Sequence, residues 1–145
     1  MIEKPPILVF DLDGTLADTA PDLMGTLNFV LAGEGLAPLP IASARKLLGA
    51  GARALIARGF AASGRDLPAE KLQRLFERFL THYEAHIADE SRLFPGVAAA
   101  LDRFAAAGFP LAVCTNKLEH ASHLLLRALG FTTGFRRSAA RTRSA

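Results

Sequence analysis

The sequence predicts an α/β fold in which a parallel sheet is interrupted by a helical insertion. Two short, continuously apolar runs, residues 7–10 (ILVF) and 110–115 (PLAVCT), are typical of buried parallel strands. Between them, apolar residues recur at helical spacing from about residue 20 to residue 92. Half of the 145 residues are hydrophobic, so the chain is long enough and apolar enough to bury a core.

The helical insertion is predicted to contain four helices. Thr19 can cap the first helix, which ends at the glycines at positions 33 and 35. Pro40 opens a short second helix, and residues 52–62 form the third. The fourth begins at residue 66 or 68 and extends to about residue 87. Its apolar stripe consists of Leu72, Leu75, Phe76, Phe79, Leu80 and Tyr83.

Beyond the insertion, the helix and strand signals alternate. Residues 97–107 are predicted to form a helix that ends at Gly108, and the strand at 110–115 follows. A last helix is predicted for residues 119–129, ending at Gly130. The expected organisation is therefore a core of residues 1–19 and 93–135 with a helical insertion of residues 20–92.

Composition excludes several classes of protein. The single cysteine, Cys114, excludes an internal disulfide framework and a multi-cysteine zinc site, and its apolar neighbours predict a buried thiol. No stretch approaches the ~18 consecutive apolar residues of a membrane span, and the first residues lack signal-peptide features, so we expect a cytoplasmic protein. Of the 17 lysines and arginines, four lie after residue 135; the other 13 are balanced by 14 acidic residues, which argues against specific nucleic-acid binding.

The segment DLDGTLADT, residues 11–19, directly follows the first predicted strand. Asp11 and Asp13 therefore lie at the carboxyl edge of the sheet, where open α/β sheets place their ligands. Two neighbouring carboxylates repel each other unless a cation or a shared proton intervenes, and Mg²⁺ prefers such oxygen ligands. Gly14 allows the backbone to turn and to approach an anion closely. Nucleophilic attack by one aspartate and proton transfer by the other also fit this pair.

DLDGTLADT resembles the first motif of the haloacid dehalogenase superfamily of phosphohydrolases. The resemblance implies a partial Rossmann-like parallel core with an inserted α-helical cap. It also implies that Asp11 is the nucleophile that forms an aspartyl-phosphate. Asp13 would protonate the leaving alcohol and then activate water, while its backbone carbonyl would bind Mg²⁺ together with Asp11. Dehalogenase members lack a carboxylate at the position of Asp13, so the chain resembles the phosphatases of the superfamily.

A second motif of that superfamily is a strand that ends in threonine or serine. Here it is LAVCTNK, and the resemblance implies that Thr115 and the backbone of Asn116 hold the transferred phosphoryl group. Without the first motif, a loop threonine that caps the next helix explains the same residues equally well. The longer run FPGVAAALDRFAAAGFPLAVCTNK resembles the phosphoglycolate phosphatase branch. The segment 49–51 (GAG), which is followed by Arg53 and Arg58, has two interpretations. It is either a substrate loop of the cap or an ordinary turn between helices.

Two further motifs of the superfamily are missing from these 145 residues. One is a lysine that pairs with the nucleophile and the phosphate, and the other is an acidic pair that completes the Mg²⁺ site. The chain has no lysine after Lys117 and no acid after Glu119. Lys117 is a candidate replacement, although the sequence does not define the direction of its side chain. Residues 136–145, RRSAARTRSA, are expected to be disordered, and we expect a truncated or frameshifted member of the superfamily.

Three functions remain open at this level. The first is a Mg²⁺-dependent phosphomonoesterase of the phosphoglycolate phosphatase type, impaired in this chain, acting on a small phosphorylated metabolite. The second is a non-catalytic remnant or binding fragment, and the third is a phosphomutase resembling β-phosphoglucomutase. The histidine pairs at 82 and 86 and at 120 and 123 have metal-ligand spacing, but solvated helix faces explain them better.

Overall fold

The computed structural model describes residues 4–131 in full and the backbone of residues 135–140. In chain order, the elements are β1 (Leu8–Phe10), β2 (Ala17–Asp18), α1 (Ala20–Ala32), α2 (Ala44–Leu47), α3 (Ala52–Ala62), α4 (Ala69–Ala85), β3 (Arg92–Leu93), α5 (Val97–Ala106), β4 (Leu111–Thr115), α6 (Glu119–Ala128) and β5 (Phe135–Ala140). A 3-10 turn at Ile41–Ser43 precedes α2.

The chain divides into two compact units. One consists of Met1–Asp18 with Arg92–Ala145 and is called the sheet unit below; the other, Thr19–Ser91, is called the helical unit. The predicted limits of the insertion, residues 20 and 92, lie one residue from this division. The α/β class with a parallel core and a helical insertion is confirmed. Among the described residues, no helix has both the length and the apolar character needed to cross a bilayer.

The sheet unit contains a three-stranded parallel sheet in the order β1-β4-β5. The sequence predicted its first two strands but not β5, because residues 135–140 show no apolar periodicity. The expectation that the basic tail is disordered is wrong for residues 136–140, since they belong to β5; residues 141–145 lie outside the described residues. Backbone pairing with β4 outweighs the unfavourable composition here.

A short antiparallel pair, β2 with β3, joins the point where the chain leaves the sheet unit to the point where it returns. Ala17 is opposite Leu93, and Asp18 is opposite Arg92. The backbone of Phe94 extends the pairing by donating to the carbonyl of Leu16, at 3.1 Å. This pair was not predicted, because strands of two residues are too short to show a periodic pattern.

The two faces of the parallel sheet differ in how they are covered. Both crossovers step in the same direction across the sheet, so right-handed connections place α5 and α6 on one face. Phe10 points to that face, with its ring 6.2 Å from that of Phe104 in α5. Val9 points to the opposite face and is 61% exposed. Cys114, two residues along from Val9's partner Ala112, is exposed on that face as well, so the prediction of a buried thiol is wrong.

The helical unit has a continuous apolar core. Its helices α1, α3 and α4 pack against one another, and side chains from each are almost completely buried: Leu27, Val30, Leu31, Leu55, Ile56, Phe60, Leu75, Phe79 and Tyr83. The predicted stripe on α4 is largely confirmed, with Leu72 and Leu80 at its half-buried margins. The core is thus built from the apolar faces that the helical spacing predicted.

Asp22 joins the two ends of the helical unit. Its carboxylate, 7% exposed, accepts hydrogen bonds from the backbone N–H groups of Glu90 and Ser91 and from the hydroxyl of Ser91, the last at 2.6 Å. Buried carboxylates require such donors, because an unpaired charge is costly away from water. Asp22 also lies in the first turn of α1, where the helix dipole favours a negative charge.

The two histidines of α4 have different surroundings. His82 is half-buried: its ring stacks on Phe29, with centroids 4.0 Å apart, and its Nδ1 lies 3.2 Å from the Thr26 hydroxyl. The solvated-face interpretation is therefore wrong for His82. His86 is exposed and pairs with Asp89 at 2.7 Å. His120 and His123 of α6 are both exposed, as expected.

Candidate active site

The candidate site lies at the carboxyl ends of two neighbouring strands of the sheet unit. β1 and β4 pair in parallel, with Leu8 opposite Leu111 and Phe10 opposite Val113. The loops that follow these strands therefore start at the same edge of the sheet. The loop after β1 carries Asp11 and Asp13; Thr115 is the last residue of β4, and Asn116 begins the loop that follows it. Residues about 100 positions apart in the chain are brought together by this register.

The loop after β1 is tightly turned. The carbonyl of Leu12 accepts hydrogen bonds from the N–H groups of Thr15, Leu16 and Ala17, at 3.0 to 3.3 Å, and Leu12 itself is fully buried. Gly14 has a φ of +77°, which a residue with a Cβ rarely adopts, so the glycine is needed for the conformation of this turn. The prediction that Gly14 allows a turn here is confirmed.

The two aspartates differ in exposure. Asp11 is exposed, and its Oδ1 accepts a hydrogen bond from the N–H of Leu12 at 2.8 Å. The side chain of Asp13 is 22% exposed. An exposed carboxylate held by the backbone N–H of the next residue is accessible to a ligand from solution, which suits a nucleophile.

Thr115 is buried, and its hydroxyl is used within its own loop. Its Oγ1 accepts a hydrogen bond from the N–H of Lys117 at 3.1 Å. The next helix, α6, begins at Glu119 after Leu118 without a side-chain cap. The alternative in which this threonine caps the following helix is therefore wrong. Asn116, between the two, is exposed.

Lys117 connects the two loops. Its Nζ lies 3.1 Å from Oδ1 of Asp13, and its side chain is only 6% exposed. Burial lowers the pKa of the Lys117 ammonium below its usual range, while the carboxylate of Asp13 opposes that change. The sequence left the direction of this side chain open, and the contact resolves it. The one available signal was the position of Lys117, two residues after Thr115.

The oxygen atoms of this edge suit a hard divalent cation. Asp11 and Asp13 supply two carboxylates and a flanking backbone carbonyl at one strand end. Mg²⁺ keeps several waters and is commonly held by one or two carboxylates together with substrate phosphate, so a two-carboxylate site fits it. Among the residues that the structure describes, no group of three or more His, Cys, Asp or Glu side chains forms a metal site made of protein alone.

The arginines near the GAG segment are engaged inside the helical unit. Arg53 donates to Oε1 of Gln73 at 2.5 Å and lies over the ring of Phe76, 4.0 Å from its centroid. Arg58 donates to the carbonyl of Leu47 at 3.1 Å. Gly49 and Gly51 have φ values of +104° and +88°, so the segment requires its glycines as a turn. A substrate loop here stays a prediction.

Comparison with known proteins gives the family of the chain. The sequence profile of haloacid dehalogenase-like hydrolases matches residues 6–142, nearly the whole chain. The chain belongs to this family. The match includes both loops of the candidate site and extends through β5.

Individual members of the family are similar over most of the chain. A phosphoglycolate phosphatase of Caulobacter vibrioides is 53% identical over 128 residues, which cover 88% of this chain and 54% of that protein. One of Agrobacterium fabrum is 48% identical over 137 residues, covering 93% of this chain and 59% of that protein. The crystal structure of a predicted phosphoglycolate phosphatase from Haemophilus somnus 129pt superimposes with a TM-score of 0.85 at 27% identity, covering 95% of this chain and 63% of that one. The chain thus spans about half the length of the curated relatives it matches.

Proposed function

We propose that this chain carries the nucleophile, the proton-transfer residue and a phosphoryl-binding hydroxyl of a Mg²⁺-dependent phosphomonoesterase of the phosphoglycolate phosphatase type. The observation that carries the proposal is the contact of Lys117 with Asp13 at 3.1 Å, because it links the loop after β1 to the loop after β4. Family membership and two relatives with that name, 53% and 48% identical, support the same chemistry.

The reaction begins with in-line attack of an Asp11 carboxylate oxygen on the phosphorus of the monoester. The bond between phosphorus and the ester oxygen breaks, and its electron pair leaves with the alkoxide, which takes a proton from the carboxyl group of Asp13. An aspartyl-phosphate remains on Asp11. Asp13, now a carboxylate, accepts a proton from water as that water attacks phosphorus, which releases orthophosphate and restores Asp11.

The surrounding groups stabilise the charge of the phosphoryl group. Thr115 would donate its hydroxyl and Asn116 its backbone N–H to the phosphoryl oxygens, as backbone and hydroxyl donors commonly do. Asp11, through its carboxylate, and Asp13, through its backbone carbonyl, would hold Mg²⁺. When bound, this ion neutralises negative charge on the phosphoryl oxygens. The substrate would be a small phosphorylated metabolite such as the phosphoglycolate of the relatives' name.

The 145 residues alone are expected to hydrolyse phosphomonoesters slowly. No lysine follows Lys117 and no acid follows Glu119, so the family's phosphate-binding lysine and its acidic pair are not among these residues. Loss of one preorganised charge-stabilising group commonly reduces the rate by ~10²–10³, and two such groups are concerned here. The alternative is that these residues bind a phosphorylated ligand without hydrolysing it.

The decisive experiment detects the covalent intermediate. The chain is incubated with Mg²⁺ and acetyl phosphate, quenched in acid, digested and analysed by mass spectrometry. We expect a phosphoryl group on Asp11 that depends on Mg²⁺ and is absent from Asp11→Asn. Asp102→Asn is the matched control, since Asp102 is exposed on α5 of the same unit.

Two results would contradict the proposal. One is the absence of an adduct on Asp11 under these conditions, and the other is a phosphatase activity that survives in Asp11→Asn. Transfer between positions of a sugar phosphate without release of orthophosphate would instead identify the phosphomutase.

A further inference from the structure

The burial of the Lys117 ammonium group requires a compensating interaction. Its side chain is 6% exposed, and placing a charged group away from water is unfavourable unless a partner compensates it. The carboxylate of Asp13, 3.1 Å away, is that partner. Asp13 is also the residue to which the proposed function gives proton transfer, so the compensating contact lies at the reacting edge of the sheet.

The backbone around Lys117 holds its side chain in this direction. Its N–H donates to Oγ1 of Thr115 at 3.1 Å. The buried hydroxyl of Ser122 donates to the carbonyl of Leu118 at 2.9 Å and lies 3.5 Å from the carbonyl of Lys117. The turn between β4 and α6 is thus tied at both ends. Such a turn places the ammonium without a large loss of side-chain freedom on ligand binding.

We propose that Lys117 is a positioning residue of the site, which orients the carboxylate of Asp13 and adds a built-in positive charge beside the phosphoryl position. This inference rests on the proposed function. The contact is to the proton-transfer aspartate, whereas the lysine implied by the family resemblance pairs with the nucleophile and the phosphate. Through this contact, Lys117 acts on the proton-transfer aspartate, which is not the aspartate that the family's lysine is implied to pair with.

A built-in positive charge has opposite effects on the two ions that the site would bind. It repels Mg²⁺ and attracts orthophosphate, because both interactions follow the sign of the charge. Replacing Lys117 by methionine, which has a similar length and no charge, should tighten Mg²⁺ binding and weaken orthophosphate binding. A residue that merely supports the fold would weaken both, since damage to the site does not depend on the sign of the ligand.

The experiment measures the dissociation constants of Mg²⁺ alone and of orthophosphate alone by titration of the full chain. In Lys117→Met we expect the Mg²⁺ constant to fall and the orthophosphate constant to rise, each by roughly tenfold. Lys117→Arg keeps the charge and should stay within about threefold of the unaltered chain for both ions. Lys4→Met is the matched control, because Lys4 is exposed in the same unit before β1, and it should change neither constant by more than about twofold.

Circular dichroism checks that each variant is folded, and Lys117→Gln repeats the charge removal with a polar side chain if Lys117→Met is not folded. Changes of the same sign for both ions, or no difference between Lys117→Met and Lys4→Met, would overturn the role of Lys117 and leave the phosphatase proposal standing. An unaltered chain that binds neither ion would overturn the proposed function and the role of Lys117 with it.

Discussion

The helical unit and the sheet unit bury their apolar residues to very different extents. In the helical unit, Leu27 and Phe60 are fully buried, and Phe79 is 1% exposed. In the sheet unit, Ile7 and Val9 are 60% and 61% exposed, although both lie in the apolar run that was expected to be a buried strand. The same kind of sequence signal therefore has two outcomes in one chain.

The difference lies in what each architecture needs. Three helices can enclose a core among themselves, whereas a parallel sheet must be covered on both faces. The two crossover helices of the sheet unit lie on one face, and the face of Val9 and Cys114 remains open to solvent in the described structure. An apolar run thus predicts a strand of a sheet, but the side chains of that strand are buried only where another layer of structure packs against them.

The largest test of this comparison is a matched pair of truncations. Phe79→Ala should lower the free energy of unfolding by about 3–5 kcal/mol, because it leaves a cavity in a packed core. Val9→Ala should change it by no more than about 0.5 kcal/mol, since that side chain is mostly exposed. Urea unfolding followed by circular dichroism measures both. Comparable losses in the two variants would show that the face of Val9 is covered in solution.

The hydrogen bonds of Asp22, which join the two ends of the helical unit, give the second test. Asp22→Ala should reduce the free energy of unfolding by about 2–4 kcal/mol, because three donors of residues 90 and 91 lose a charged acceptor. Ser91→Ala removes only the hydroxyl and should reduce it by about 1–2 kcal/mol. Asp66→Ala, an exposed aspartate of the same unit, should be nearly neutral in the same denaturation experiment. An Asp22→Ala variant as stable as Asp66→Ala would mean that the two ends are not joined through this carboxylate.

Thiol labelling sharpens the comparison of exposure. Cys114 is exposed on β4, so its thiol should react with Ellman's reagent within about tenfold of its rate in urea. A cysteine placed at Leu27, in a Cys114→Ser background, should be protected more than about 100-fold in the folded chain, because that position is fully buried. Equal protection at the two positions would contradict the open face of the sheet.

The smallest expected effect concerns pH. Burial, with a contribution from His86, lowers the pKa of His82 below its ordinary value of 6.5. The folded state then binds a proton at His82 less readily than the unfolded state, so stability falls as the pH decreases from 6.5 toward the lowered pKa of the folded state. The stability of the unaltered chain should decline with acidification more steeply than that of His82→Gln. His123→Gln, at an exposed histidine, should keep the steep dependence in pH-dependent urea titrations.

Local patterns predicted most of the helices well. The bounds predicted for α3 and the start of α6 agree with the structure, because glycine stops and apolar spacing act within a few residues of the chain. The β2–β3 pair and β5 were missed, since both depend on pairing with distant segments and carry little periodicity of their own. The role of Asp22 in joining the ends of the helical unit could not be predicted from local patterns, because its partners lie 68 and 69 residues away.

By itself, the sequence determined the elements and the chemistry at their ends. Apolar runs made the two strands. Asp11 and Asp13, which follow the first strand, and Thr115, which ends the second, had to lie at the ends of those strands. Only the tertiary structure decided which of these groups meet and which apolar residues are covered. The contact of Lys117 with Asp13 and the exposure of Val9 depend on register and on layers of structure, and these arise from residues about 100 positions apart.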